Sequence, residues 1–225
     1  MSLVVQGYYA ILDVKGTSFD VGAALAHTKR LLAAGPCCLQ LRAKQLPTVA
    51  FCRLAHEVRR LCTQADIPFC INDRLDIALA VGADVIHLGQ SDLPLADAVR
   101  IRAASASRFA IAVSTHDLAE ASVAVAGGAD HIGFGPIFPT QSKVDAASAV
   151  GLAGLREVAS HAKVPVVAIG GITLDNVADV AKAGASAAAV IAAVDQAPDV
   201  TAAGQQIAAA FPIGRLERVS KPSRV

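Results

Sequence analysis

Along most of the chain, short apolar runs alternate with longer segments whose apolar residues recur at helical spacing. The runs are GYYAIL (Gly7 to Leu12), CCLQLR (Cys37 to Arg42), PFCIN (Pro68 to Asn72), VIHLG (Val85 to Gly89), RFAIAVS (Arg108 to Ser114), HIGFG (His131 to Gly135), PVVAIG (Pro165 to Gly170) and AAVIAAV (Ala188 to Val194). Each reads as a buried strand. Between them, Asp20 to Ala34, Pro47 to Ala65, Pro94 to Ala104, Asp117 to Ala126 and Leu152 to His161 read as helices, so the chain is a repeated βα unit. Strands that are apolar on both faces need helices outside them, and parallel connections through helices are right-handed. Eight such units in 225 residues predict an α/β fold, a single (βα)8 TIM barrel, in which closure removes the sheet edges. A doubly wound sheet is the alternative and would require a reversal in strand order.

Four stretches end a helix with glycine and feed the next strand: Ala34 to Pro36, Val81 to Asp84, Gly127 to Asp130 and Ala183 to Ser186. The barrel is assigned to residues 1–211. Residues 212–225, with Arg215, Arg218, Lys221 and Arg224 against one acid, read as a basic C-terminal tail, either a solvated end or a contact for an anion or subunit. Hydrophobic residues make up 54% and charged residues 17%, which excludes general disorder. Lys and Arg number 20 against 19 Asp and Glu, leaving no broad positive field for a nucleic acid or an anionic membrane. The first residues lack a signal-peptide pattern, and Ala185 to Val194 is too short to span a bilayer, so a soluble, cytoplasmic protein is expected. Cys37, Cys38, Cys52, Cys62 and Cys70 lie among apolar residues without a CxxC or metal-site spacing and read as reduced core thiols.

In a barrel of this kind, chemistry gathers at the carboxyl ends of the strands. Strand two ends in Gln40, Arg42 and Lys44, a row spaced by two that faces one cavity if the strand extends that far. The two cations mark either an anion site or surface ion pairs. Strand three ends in Asn72 and Asp73, and strand four in His87, Gly89, Gln90 and Asp92. The two aspartates are open to two readings, as helix caps or as hard oxygen ligands for Mg2+ beside a phosphate site. Ser114 either binds a ligand or belongs to a capping segment with Thr115, His116 and Asp117. His87 and His131 read as satisfied structural residues, and His116 as a loop or structural residue. The loop GPIFPTQSK presents Thr140, Ser142 and Lys143, either to a phosphate or as part of a rigid surface turn. Gly170 and Gly171 permit a phosphate to approach backbone N–H groups, and the end of strand eight near Ala192 and Ala193 offers its backbone to the same anion. The map has two anion sites. Arg42, Lys44, Asn72 and Lys143 surround one with Asp73 and Asp92 holding magnesium, while Thr140, Ser142 and the Gly170–Gly171 turn form the other.

The stretches QLRAK (Gln40 to Lys44), INDRLDIAL (Ile71 to Leu79), VIHLGQSD (Val85 to Asp92), VSTH (Val113 to His116), GPIFPTQSK (Gly135 to Lys143) and VPVVAIGGI (Val164 to Ile172) together resemble the thiamine phosphate synthase family, in that family's order and over nearly the whole chain. The resemblance implies a Mg2+-dependent transferase on a (βα)8 barrel. It would join a pyrimidine pyrophosphate to a thiazole phosphate by dissociative alkyl transfer and release pyrophosphate. It implies that Gln40 and Ser114 face the pyrimidine; that Arg42, Lys44, Asn72 and Lys143 hold the pyrophosphate; and that Asp73 and Asp92 bind Mg2+. It places the thiazole phosphate at Thr140, Ser142, Gly171, Ala192 and Ala193. Homo-oligomeric assembly is implied as well. Two positions depart from the family's pattern: Leu12 replaces a hydroxyl residue in the first strand, which puts polar contacts there in question, and Ala192 replaces a serine, which predicts weaker thiazole-phosphate binding. The alternatives are a thiazole tautomerase-like isomerase, which has less need for the pyrophosphate clamp, and a noncatalytic binder of phosphorylated thiamine precursors.

Overall fold

The computed structural model describes residues 4–105, 108–140 and 148–211. Eight strands, β1 (Gly7–Asp13), β2 (Cys38–Arg42), β3 (Phe69–Asn72), β4 (Val85–Leu88), β5 (Ala110–Thr115), β6 (His131–Phe134), β7 (Val166–Ile169) and β8 (Ala187–Val190), pair in chain order. All pairs are parallel. The pairing of β1 with β8, Gly7 opposite Ala187 through Ala10 opposite Val190, closes the barrel and rules out the doubly wound sheet. Around it lie α1 (Val21–Ala33), α2 (Thr48–Gln64), α3 (Leu75–Val81), α4 (Leu95–Ala104), α5 (Leu118–Ala126), α6 (Gly151–His161), α7 (Val177–Lys182), α8 (Ala192–Asp195) and α9 (Val200–Ala209).

Strand alternation sorts the core into two layers. Tyr8, Leu39, Leu41, Ile71, Ile86, Ile111, Ile132 and Phe134 point outward and join the helices in the larger apolar cluster. Tyr9, Ile11, Cys38, Cys70, Val85, Ala112, Val167 and Ala189 point inward and form a separate cluster. The five cysteines are free thiols; Cys38, Cys62 and Cys70 are buried. Burial pushes the Cys37 and Cys62 thiols up to about 12, away from reactive thiolate.

Helix ends follow local chemistry. Asp20, Asp117 and Asp199 cap α1, α5 and α9 by accepting from Ala23, Glu120 and Ala202 N–H groups. Gly82, at φ 63°, ends α3 in the left-handed conformation that a side chain disfavours. The aspartate that closes each Gly-Ala-Asp turn then ties three elements together. Asp84 accepts the Phe69 N–H at 2.8 Å and pairs with Arg59 of α2, while Asp130 accepts the Ile111 N–H at 2.8 Å and pairs with Arg102 of α4. These clamps lie at the amino ends of the strands, away from the chemistry.

The eighth strand is shorter than its sequence indicates. It spans Ala187–Val190 and not Ala188 to Val194, because Ala192–Asp195 turn into the short helix α8. An alanine-rich apolar run satisfies either geometry, and the parallel ladder to β1 and β7 supports only four residues. Ala192 and Ala193 therefore open a helix and do not end a strand. The basic tail expected over 212–225 lies outside the described residues. Among the described residues, no helix is long and apolar enough to cross a membrane.

Candidate active site

At the carboxyl ends of the strands a cavity of about 930 Å³ is lined by Gln40, Arg42, Lys44, Asn72, Asp73, Asp92 and Ser114. A second, of about 740 Å³, is lined by Thr140, Gly170, Gly171, Ala192 and Ala193. Lys15, Ser114, His116, Gly133, Ile169, Ala189 and Ile191 line both, so the two are adjoining parts of one mouth. Ser142 and Lys143 lie outside the described residues.

Gln40 and Arg42 occupy inward positions of β2, and Lys44 follows in the loop. Both cations have acidic partners: Arg42 Nη1 donates to Asp13 Oδ1 at 2.6 Å, and Lys44 Nζ lies 3.2 Å from Asp73 Oδ2. Asp13, its side chain only 4% exposed, orients the guanidinium from the last residue of β1. That residue escaped sequence reasoning; its signal was its inward register, two positions beyond Ile11. The same register answers the question raised by Leu12, which points outward into the apolar layer beneath the helices. A hydroxyl there would not face the cavity, and the polar contact of the first strand is made by Asp13.

Gln40, 4% exposed, directs its Nε2 to the Tyr9 hydroxyl at 3.4 Å and toward Cys70 Sγ at 3.7 Å, which leaves its carboxamide oxygen as the acceptor. Asn72 is buried at the end of β3. The reading of Asp73 and Asp92 as helix caps is not realised: α3 and α4 begin after Arg74 and Pro94 without a side-chain cap. Asp73 adopts φ 64°, and Asp92 Oδ2 instead accepts the Gly89 N–H at 2.7 Å within its own loop. Burial raises the Asp73 pKa above the ordinary carboxylate range, the neighbouring Asp92 carboxylate raises it further, and Lys44 acts in the opposite direction. The Asp92 carboxylate thus disfavours the charged form of Asp73, and a cation beyond Lys44 would favour it.

Ser114 lies within β5 and faces the cavity, with His87 Nε2 at 2.8 Å from its Oγ and Gln90 Nε2 donating to its carbonyl at 2.6 Å. His87 therefore buttresses a cavity residue. The capping role belongs to Asp117, with Glu120 accepting from the His116 N–H at 2.8 Å and meeting its Nδ1 at 2.9 Å. His131 departs from the expectation of a satisfied core histidine. Its ring is 1% exposed and lines the larger cavity, and neither ring nitrogen has a hydrogen-bond partner among the described residues. Burial lowers its pKa to about 4, so it is neutral near pH 7.

The glycines after β7 serve a second purpose. A Cβ on Gly170 would stand 2.5 Å from Pro136 Cβ, and one on Gly171 would stand 2.6 Å from Phe138 Cβ. The two loops lie against each other, with the Ile137 N–H donating to Ile169 O at 2.9 Å and the Phe138 N–H to Gly170 O at 3.0 Å. Loop packing therefore already requires glycine here, and Gly171 still lines the second cavity. Asn176 fastens the turn by donating from Nδ2 to Gly171 O at 3.0 Å.

Comparisons with known proteins agree with this fold. A family model described as thiamine monophosphate synthase matches residues 9–194. A thiamine-phosphate synthase of Chloroflexus aurantiacus is 46% identical over 178 residues, covering 79% of this chain and 81% of that protein. One from Methanospirillum hungatei is 46% identical over 180 residues, covering 80% and 86%. The structure of a thiamine phosphate pyrophosphorylase from Pyrococcus furiosus superimposes with a TM-score of 0.80 at 35% identity, covering 92% of this chain and 96% of that one. With the closed parallel barrel and the polar mouth in place, these matches show that the chain belongs to the thiamine monophosphate synthase family, whose members are transferases.

Proposed function

We propose that the chain joins an aminopyrimidine carrying a methylene pyrophosphate to a thiazole phosphate, yielding thiamine phosphate and pyrophosphate. The observation that carries this reading is the pair of adjoining cavities, one bearing Arg42, Lys44, Asn72 and two carboxylates, the other bearing Thr140, Gly171 and the start of α8. The pyrimidine substrate fits the first, its ring toward Gln40 and Ser114 and its pyrophosphate toward Arg42, Lys44, Asn72 and Lys143. The thiazole substrate fits the second, its phosphate toward Thr140, Ser142, Gly171 and the backbone at Ala192 and Ala193, where a first helical turn leaves N–H groups without intrahelical acceptors.

Asp73 and Asp92 fit a hard divalent cation, since their adjoining carboxylates repel and the cavity beside them has room for water ligands. Among the described residues no third His, Cys, Asp or Glu joins them, so water or substrate oxygens would have to complete the coordination of Mg2+, an ion that commonly keeps several waters. When bound, Mg2+ would offset charge gathering on the departing pyrophosphate.

The chain's own groups account for the remaining steps. Arg42, held by Asp13, and Lys44 present preorganised donors to the leaving oxygens as the carbon–oxygen bond breaks. The electron-rich aminopyrimidine carries the positive methylene that remains, and the thiazole nitrogen closes the new carbon–nitrogen bond. Ile11, Val14, Ile169 and Ile191 line the reaction volume and limit competing capture by water. No enzyme nucleophile is required, and positioning supplies more of the rate than proton transfer.

The test supplies both substrates to the purified protein and follows thiamine phosphate and pyrophosphate with Mg2+ and with chelator. Equal formation of both products, abolished by chelator, is expected. Metal-independent isomerisation of the thiazole, or binding without turnover, would replace this reading with the tautomerase-like or noncatalytic one.

A further inference from the structure

His131 is a buried polar side chain with an unmet requirement. It opens β6 on the inward row, well below the cations at the mouth: its ring is 1% exposed, whereas the Lys44 side chain is 51% exposed. The next inward residue of the strand is Gly133, which has no side chain to roof the ring; even a Cβ there would stand 3.0 Å from His87 Cε1. The cavity therefore continues down to the imidazole. On its other side the ring faces Tyr9, centroid to centroid 6.2 Å at 53°, a contact that satisfies neither nitrogen.

A neutral imidazole carries one N–H donor and one acceptor, and burial keeps this one neutral. Buried polar groups are retained where something meets them. Gln40 has turned its amide hydrogens toward Tyr9 and Cys70, so it offers the cavity an acceptor, and Ser114 offers a hydroxyl held by His87. His131 lines the cavity with both ring nitrogens buried and without a partner among the described residues, so it is placed to supply a donor to an aromatic ring nitrogen. Phosphate oxygens are met by the cations at the rim, so the group that reaches the floor is the heterocycle.

We infer that His131 is a positioning residue that donates a hydrogen bond from the barrel floor to a ring nitrogen of the pyrimidine substrate, setting how deep the ring sits and where its methylene points. This rests on the proposed activity and adds to it a contact on one substrate only.

The experiment measures kcat and KM for each substrate in the wild type, His131→Phe and His131→Gln. His131→Phe is expected to raise KM for the pyrimidine substrate about tenfold, the loss of one hydrogen bond, while KM for the thiazole phosphate changes less than about twofold. His131→Gln, which keeps an N–H, is expected to recover most of the loss. In the unmodified protein, the His131 ring ¹⁵N resonances should shift on adding the pyrimidine alcohol and stay in place with thiazole phosphate or inorganic pyrophosphate; this holds as a test even if the variants fail to fold. Ring resonances unmoved by saturating pyrimidine would overturn the inference and leave an ordered water or simple packing as the role, as would equal rises in both KM values. A wild type that forms no thiamine phosphate defeats the proposed activity itself, whereas a turning-over wild type with an indifferent His131 defeats only this inference.

Discussion

Asp92 illustrates how a single side chain can fasten a loop and act on a neighbouring carboxylate in the cavity. Its Oδ2 accepts the Gly89 N–H, and its charge acts on Asp73. Asp92→Asn keeps a carbonyl for Gly89 and removes the charge, so the loop should hold while turnover falls on the order of a hundredfold and the Mg2+ concentration for half-maximal rate rises. Steady-state rates across a Mg2+ titration, with a melting curve as control, check this; unchanged rates at limiting Mg2+ would reject the metal role. His131 makes a different prediction, in stability. Its folded pKa of about 4 lies below the ordinary 6.5, so as pH falls the unfolded chain takes up the proton first. Its contribution is complete above about pH 6.5 and is lost progressively toward pH 4, on the order of 3 kcal/mol in total. Urea unfolding of wild type and His131→Phe across that range should show the wild-type excess slope disappear in the variant. The sequence placed His131 within a strand and read it as a satisfied structural residue; its inward direction and its lack of a partner among the described residues depend on barrel register and on what the other strands bring near it.

At the scale of elements, the clamps and the loop contacts do separate work. Asp130 joins α4, β5 and the turn before β6 through Arg102 and the Ile111 N–H. Asp130→Ala should cost about 1–3 kcal/mol by leaving that N–H and that guanidinium without their partner, with kcat unaffected because the clamp is at the opposite end of the strands from the site. Chemical denaturation paired with an activity assay reads both. Much at this scale was legible in the residues: apolar runs for the strands, glycines for the helix ends, Asp117 for the start of α5. The run Ala188 to Val194 was not, because alanine suits helix and strand alike, and only the ladder between β1 and β7 limits the strand to Ala187–Val190. The Gly170–Gly171 turn was read as making room for phosphate; that the loop of Pro136, Ile137, Phe138 and Pro139 also packs against it is a contact that sequence distance conceals.

Over the whole molecule, the adjoining cavities are what would let two substrates of the proposed reaction meet. They share Ser114, Gly133, Ile169 and Ile191 along their common boundary. A product spanning both should compete with each substrate in turn, so thiamine phosphate is expected to inhibit competitively against the pyrimidine substrate and against the thiazole phosphate, each varied with the other held low. Competition against only one would mean that the product does not block both cavities of the free protein or that the substrates bind in a fixed order.

The residues alone determined the βα repeat and the position of Gln40, Arg42, Lys44, Asn72, Asp73, Asp92 and Ser114 at or just beyond the strand ends, because period, apolar content and alternation are local properties, whereas closure into a barrel rests on the pairing of β1 with β8. Tertiary structure decided the partnerships: Asp13 with Arg42, Lys44 with Asp73, His87 with Ser114, and His131 with none among the described residues. Those depend on barrel register and loop path, which bring residues from separate strands to within a few ångströms, and no local pattern encodes such a distance.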